Sequence, residues 1–175
     1  MATPPSALTS TIKVLDSISI WSGKIVAWLI LPMVGSLVYE VIARYVFSAP
    51  TAWAYDMTFM LYGSFFMLGA AYTLQRKGHI RTDTFYQAWS PRRQGWVDTV
   101  CYVLFFFPGL IAFLVVSWDF FWVSFERGER IVTSPWMPIV YPFKAAIPLA
   151  TLLLLLQGLS EFLKSFWAAK EGEWI

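Results

Sequence analysis

Between Asp98 and Asp119 the chain reads Thr99-Val-Cys-Tyr-Val-Leu-Phe-Phe-Phe-Pro-Gly-Leu-Ile-Ala-Phe-Leu-Val-Val-Ser-Trp118, without one charged residue. A helix rises about 1.5 Å per residue and the hydrocarbon core of a bilayer is roughly 30 Å thick, so a run of this length can cross it. Its apolar residues do not alternate as in a half-buried strand, and a helix satisfies its backbone groups within itself. Taken out to its flanking tryptophans, the span covers Trp96 to Trp122. Three other stretches share its character: Ile18 to Phe47, Trp53 to Leu74, and Ile139 to Leu163. The expected fold is an all-α integral membrane protein, a single membrane domain over residues 1–175 with four transmembrane helices.

Composition agrees. Of 175 residues, 58% are hydrophobic and only 14% are charged, against about 25% charged in an ordinary soluble domain. That shortage of charge excludes a water-facing surface of this size and also a disordered chain. A net charge of +2 is too small for a nucleic-acid binder, and the one cysteine, Cys101, cannot form an internal disulfide.

The borders follow from local chemistry. Thr51 is placed to cap the second helix, Ser90-Pro91 to start the lead into the third, and Pro142 to open the fourth. Gly78 stands where a left-handed residue would end the second. Pro32, Pro108 and Pro148 fall inside spans and should kink them. The first span is too long for a cleaved signal peptide and is read as retained. Leu8, Ile12 and Leu15 recur at helical spacing, and Phe85, Tyr86 and Trp89 follow Thr82 and Asp83. These suggest one or two interfacial amphipathic helices, the clearer one at about 83–89.

Lysine and arginine set the orientation. Lys13, Lys24, Arg76, Lys77, Arg81, Arg92, Arg93, Lys164 and Lys170 fall on one side, and Arg44, Arg127, Arg130 and Lys144 on the other. The richer side holds both termini and is expected to be cytoplasmic. Tryptophans gather at the span ends, as amphipathic rings do at a membrane surface.

Little chemistry is available to such a chain. It has no asparagine and one histidine, His79. A haem held by two histidines of this chain, or a His-rich metal site, is therefore excluded. No serine stands in a nucleophile elbow and no glycine loop resembles a phosphate cradle. No enzyme activity, cofactor or metal is expected. Glu40 is the most suggestive residue, with Arg44 four residues on along the same face. A carboxylate that must bind and release a cation gains nothing from a fixed cationic neighbour, so a local ion pair is preferred to a coupling site. Asp56, Gly63 and Ala70 repeat every seven residues, forming a stripe along which helices could approach closely. Asp56 is expected to reach Arg44 across the short outer turn.

These residues carry a resemblance. Glu40-Val-Ile-Ala-Arg44-Tyr-Val-Phe47, then Pro50, Trp53 and Asp56, Gly69-Ala-Ala71, Gly78-His79-Ile80 and Asp83, resemble the small, DctQ-type membrane subunit of tripartite ATP-independent periplasmic (TRAP) transporters. Asp56 departs from the glutamate expected at its position. The resemblance implies a non-catalytic subunit in the bacterial inner membrane, both termini cytoplasmic. Its partners would be a large DctM-type membrane subunit, a periplasmic binding protein and membrane lipid, with no nucleic acid. It would brace the large subunit during sodium-driven uptake of an organic acid or related solute. Arg44, Trp53, Asp56, His79 and Asp83 match the motif. With Glu40, Gly63, Gly69, Ala70 and Gly78 they are expected to serve structure or subunit contact. In the outer connection Phe125–Tyr141, Glu126, Arg127, Glu129 and Arg130 either meet the binding protein or form a solvated loop of mixed charge. Two rival readings remain: a small multidrug-type antiporter using Glu40, and an anchor subunit of a respiratory complex.

Overall fold

The computed structural model describes residues 4–78 and 86–175. Four helices are long and apolar enough to cross a membrane: Ser6–Tyr45, Ala54–Gln75, Pro91–Glu126 and Tyr141–Glu171. No strand occurs among the described residues beyond an isolated bridge between Arg130 and Ile139. The stretch with Leu8, Ile12 and Leu15 is helical, but it runs unbroken into the first span rather than lying apart, and Ile12 and Leu15 are buried. The first three residues of the surface helix expected at 83–89 lie outside the described residues. Its described end closes with a turn, Trp89 N–H donating to Tyr86 O at 3.1 Å.

Two prolines leave the marks their chemistry dictates. A proline has no N–H, and its ring crowds the carbonyl four residues back. The first helix loses regular bonding at Trp28 and Leu29, one turn before Pro32. The third widens to a π-helical turn over Tyr102–Phe106, just before Pro108, where Phe107 N–H bonds Tyr102 O. Pro148 lies within a helix that continues through it. Ser90 and Pro91 start the third helix as expected, and Pro142 lies in the first turn of the fourth.

Two expected boundaries shift. The second helix starts at Ala54 behind Trp53, which offers no side-chain cap, because the backbone N–H and hydroxyl of Thr51 are both given to Glu40. At its other end the left-handed residue is Lys77, with φ 54°, not Gly78. The helix stops at Gln75, so Gly78 instead closes the end by donating its N–H to Thr73 O at 2.9 Å, while Lys77 N–H bonds Leu74 O at 3.0 Å.

Packing is that of a protein dissolved in lipid. The fully buried side chains are small or polar: Ser19, Ala54, Ser124, Gln157, Ser160, Ala168. Large apolar ones face outward, among them Trp28, Phe66, Phe105 and Val116. Lipid tails are as apolar as leucine, so helices gain by close approach of small residues rather than by hiding large ones.

The chain forms two compact units. One comprises Met1–Trp21, Ala71–Phe113 and Thr151–Ile175; the other comprises Ser22–Ala70 and Leu114–Ala150. In the first, Gly95 lets the third helix touch the fourth, since a Cβ there would lie 2.4 Å from Ala169 N and 2.6 Å from Ser165 O. Higher on the same pair, the Phe106 ring covers Gly158, and Phe107 meets Phe162 edge-on at 5.8 Å. In the second unit, the Phe143 ring lies on Gly63 and against Phe59 at 5.9 Å.

Candidate functional site

The unit built from Ser22–Ala70 and Leu114–Ala150 holds the expected polar cluster, in a different arrangement. Glu40 and Arg44 share a helix face, one turn apart. Arg44 Nε donates to Glu40 Oε1 at 2.8 Å and its Nη2 reaches the same oxygen. The other oxygen accepts from Thr51 N at 2.9 Å and from the Thr51 hydroxyl. Glu40 thus ties the end of the first helix to the turn that begins the second. Its side chain is 10% exposed, whereas that of Arg44 is 53% exposed. Trp53 is held beside the same helix by Tyr39, ring centroids 5.6 Å apart.

Asp56 does not reach Arg44, whose guanidinium is already committed to Glu40. It accepts instead from the Ser134 hydroxyl, which in turn accepts from Trp136 N–H at 3.2 Å. The stripe Asp56–Gly63 therefore faces the outer connection and the start of the fourth helix, not the first helix. Ala70, its third member, is half-buried, and Gly69 separates the two helical stretches on either side of it. His79 and Asp83 lie outside the described residues.

The outer connection is folded by its own hydrogen bonds, with its charged residues exposed. Ile131 N–H bonds Pro138 O at 3.1 Å and Val140 N–H bonds Glu129 O at 3.0 Å. Gly128 and Met137 take positive φ, 57° and 48°. Of its charged residues, Glu126 accepts from Trp122 Nε1 at 2.8 Å, Arg130 donates to Met137 O at 3.1 Å, and Glu129 accepts from Lys144. Lys144 also lies 3.9 Å from the Phe120 ring centroid, and Arg127 is exposed.

The hydrogen bond from Lys144 holds the Glu129 carboxyl below its usual range. A carboxyl whose folded value is depressed lends stability that is complete above its unfolded value, near 4.5, and is lost as the pH falls through the folded one. Hydrogen-exchange protection across residues 127–140, referred to the intrinsic amide rate at each pH, should therefore be high at neutral pH and fall as the medium is acidified below that range. Lys144→Met should remove the dependence. Equal protection across that acidification would contradict the pairing.

The other unit holds a cluster that the sequence reading did not find. Asp16 accepts from Ser160 Oγ at 2.6 Å, Gln157 Nε2 at 3.0 Å and Lys164 Nζ at 2.9 Å. Lys164 also donates to Glu161 at 2.7 Å, so one cation sits between two carboxylates. Gln157 and Ser160 are fully buried, and Gln157 Oε1 has no hydrogen-bond partner among the described residues. A signal was present: Gln157, Ser160, Glu161 and Lys164 stand at i, i+3, i+4 and i+7, a polar stripe on an otherwise apolar helix.

Among the described residues, no group of three metal-ligating side chains is brought together. The model of the family described as tripartite ATP-independent periplasmic transporters, DctQ component, matches residues 33–167. The chain belongs to this family. No curated protein matches the chain. Membership makes it a component of a TRAP transporter, a system in which DctQ works with a large membrane subunit and a binding protein. The DctQ match takes in the Glu40 cluster, the outer connection and the polar stripe of the fourth helix. Asp16, the acceptor of that stripe, lies before it.

Proposed function

We propose that this chain is the non-catalytic small permease subunit that braces a large DctM-type carrier subunit in the bacterial inner membrane, with both termini cytoplasmic. The carrier would take up an organic acid or related solute, driven by sodium and delivered by a periplasmic binding protein. What supports the bracing role is the internal pairing of four carboxylates within the helices. Asp16, Glu40, Asp56 and Glu161 each accept from a side chain of their own unit. Carboxylates closed in this way hold helices together and leave little with which to bind and release a transported ion. Family membership supports the transporter assembly. The half-exposed Arg44, with Trp53, Asp56, Gly63, Gly69, Ala70, Gly78, His79 and Asp83, is assigned to structure and subunit contact, and Arg127 with its neighbours to the binding protein.

The test is reconstitution. The chain alone should move no solute in liposomes. With its large subunit and binding protein it should support sodium-dependent uptake, and uptake undiminished when this chain is omitted contradicts the role. Arg44→Ala should lower the amount of large subunit that copurifies, with little change in the affinity for solute. A change in affinity alone would point away from a brace. The antiporter alternative makes the opposite forecast: proton-coupled efflux by the pure chain, abolished in Glu40→Gln.

A further inference from the structure

We propose that the pocket at the start of the third long helix binds the phosphate headgroup of an anionic glycerophospholipid, whose acyl chains lie along that helix. The pocket has a volume of about 590 Å³ and is lined by Trp89, Ser90, Arg92, Arg93, Trp96 and Val97. Its rim is fixed by the protein itself. Gln94 Nε2 donates to Tyr86 O at 2.8 Å and to Trp89 O at 3.2 Å. The Tyr86 hydroxyl donates to Asp98 at 2.6 Å, and the Tyr86 and Trp89 rings are 6.1 Å apart. Trp89 is thereby held against the helix with no ligand needed to place it.

Two guanidinium groups line this concavity, and among the described residues neither forms an ion pair. The first turn of the helix contains no acidic residue, so both cations stand at the positive end of the helix dipole, an arrangement that an anion relieves. Paired guanidinium forks match phosphate oxygens. The Ser90 hydroxyl makes no capping bond and can donate to the same group. Two indoles flank the site, as befits the headgroup level of a membrane.

The lower lining chooses among anions. Val97, Val100 and Leu104 are 41%, 45% and 61% exposed and follow at i, i+3 and i+7, so an apolar strip leaves the pocket along one helix face. A free phosphate would leave that strip unused, and an acidic peptide would find aliphatic side chains where it needs polar ones. An amphiphile with a negatively charged head satisfies both halves. This assignment does not depend on the bracing role.

The experiment is native mass spectrometry of the intact chain released from bilayers of equal phosphatidylglycerol and phosphatidylcholine. Phosphatidylglycerol should be retained with about a tenfold preference, the scale of a charge-assisted bidentate contact. The double variant Arg92→Lys, Arg93→Lys keeps charge and membrane orientation but loses the forks, and the preference should fall several-fold. Gln94→Leu, which frees the rim without touching charge, should lower it as well, with helix content checked by circular dichroism. Equal retention of the two lipids would overturn the proposal, as would an unchanged preference in the lysine pair. Displacement of the lipid by inorganic phosphate would also overturn it, because the site would then belong to a free anion.

Discussion

Gly95→Ala should destabilise the folded chain, by about 1–3 kcal/mol if overpacking follows its usual scale, and Gly95→Leu by more. A Cβ at this position meets backbone: Ala169 N at 2.4 Å, Ser165 O at 2.6 Å and Ala168 C at 2.8 Å. Backbone atoms of a long helix cannot rotate aside as a side-chain end can, so the third and fourth helices must part. Gly109, in the same long helix, supplies the control. Nothing lies within 4 Å of a Cβ there, and exchanging glycine for alanine in a helix interior gains up to about 1 kcal/mol. Gly109→Ala should therefore be neutral or stabilising. Unfolding in mixed micelles with increasing dodecyl sulfate reads both. Equal behaviour of the two alanine variants would contradict the contact at Gly95.

Lys164→Met should be more harmful than Gly95→Ala, for an electrostatic reason. The ammonium joins Asp16 at 2.9 Å and Glu161 at 2.7 Å, and the three side chains are only 15%, 20% and 6% exposed. Removing it leaves two carboxylates facing each other with little water. Breaking a buried pair by deleting one partner costs about 3–5 kcal/mol. Asp16→Asn introduced into the Lys164→Met chain should recover part of the loss, because it removes one of the opposed charges while leaving an amide that can still bond Ser160. The same unfolding titration measures both, and a double variant no better than the single one would show that charge is not the cause.

Most of the local architecture was legible in the sequence because it depends on neighbours along the chain. The four spans follow from uninterrupted apolarity, Ser90-Pro91 from capping chemistry, the disturbed turns from Pro32 and Pro108, and the Glu40–Arg44 pair from a separation of one turn. Partnerships across long stretches of sequence were not legible. Asp56 meets Ser134, and Asp16 meets Gln157, Ser160 and Lys164; no periodicity in one chain encodes such meetings. Thr51 was misread for a related reason. A threonine before a helix satisfies the capping pattern, but a buried carboxylate in need of donors outcompetes a helix end that water can reach. Gly78 shows the limit of boundary reading, since a stop one residue earlier passes the left-handed conformation to Lys77.

The widened turn at Tyr102–Phe106 acts as a phase shifter. A regular helix advances about 100° with each residue, and a π turn takes up one surplus residue without changing the direction in which later side chains point. Deleting any one of those five residues would let the spiral return to its ordinary pitch with everything from Pro108 to Glu126 still pointing as it does now. Closing the turn to regular pitch with all five residues kept would instead swing that stretch by about 100°. In that second case residues that now look into the bilayer would turn toward protein, and the reverse, although no amino acid was altered.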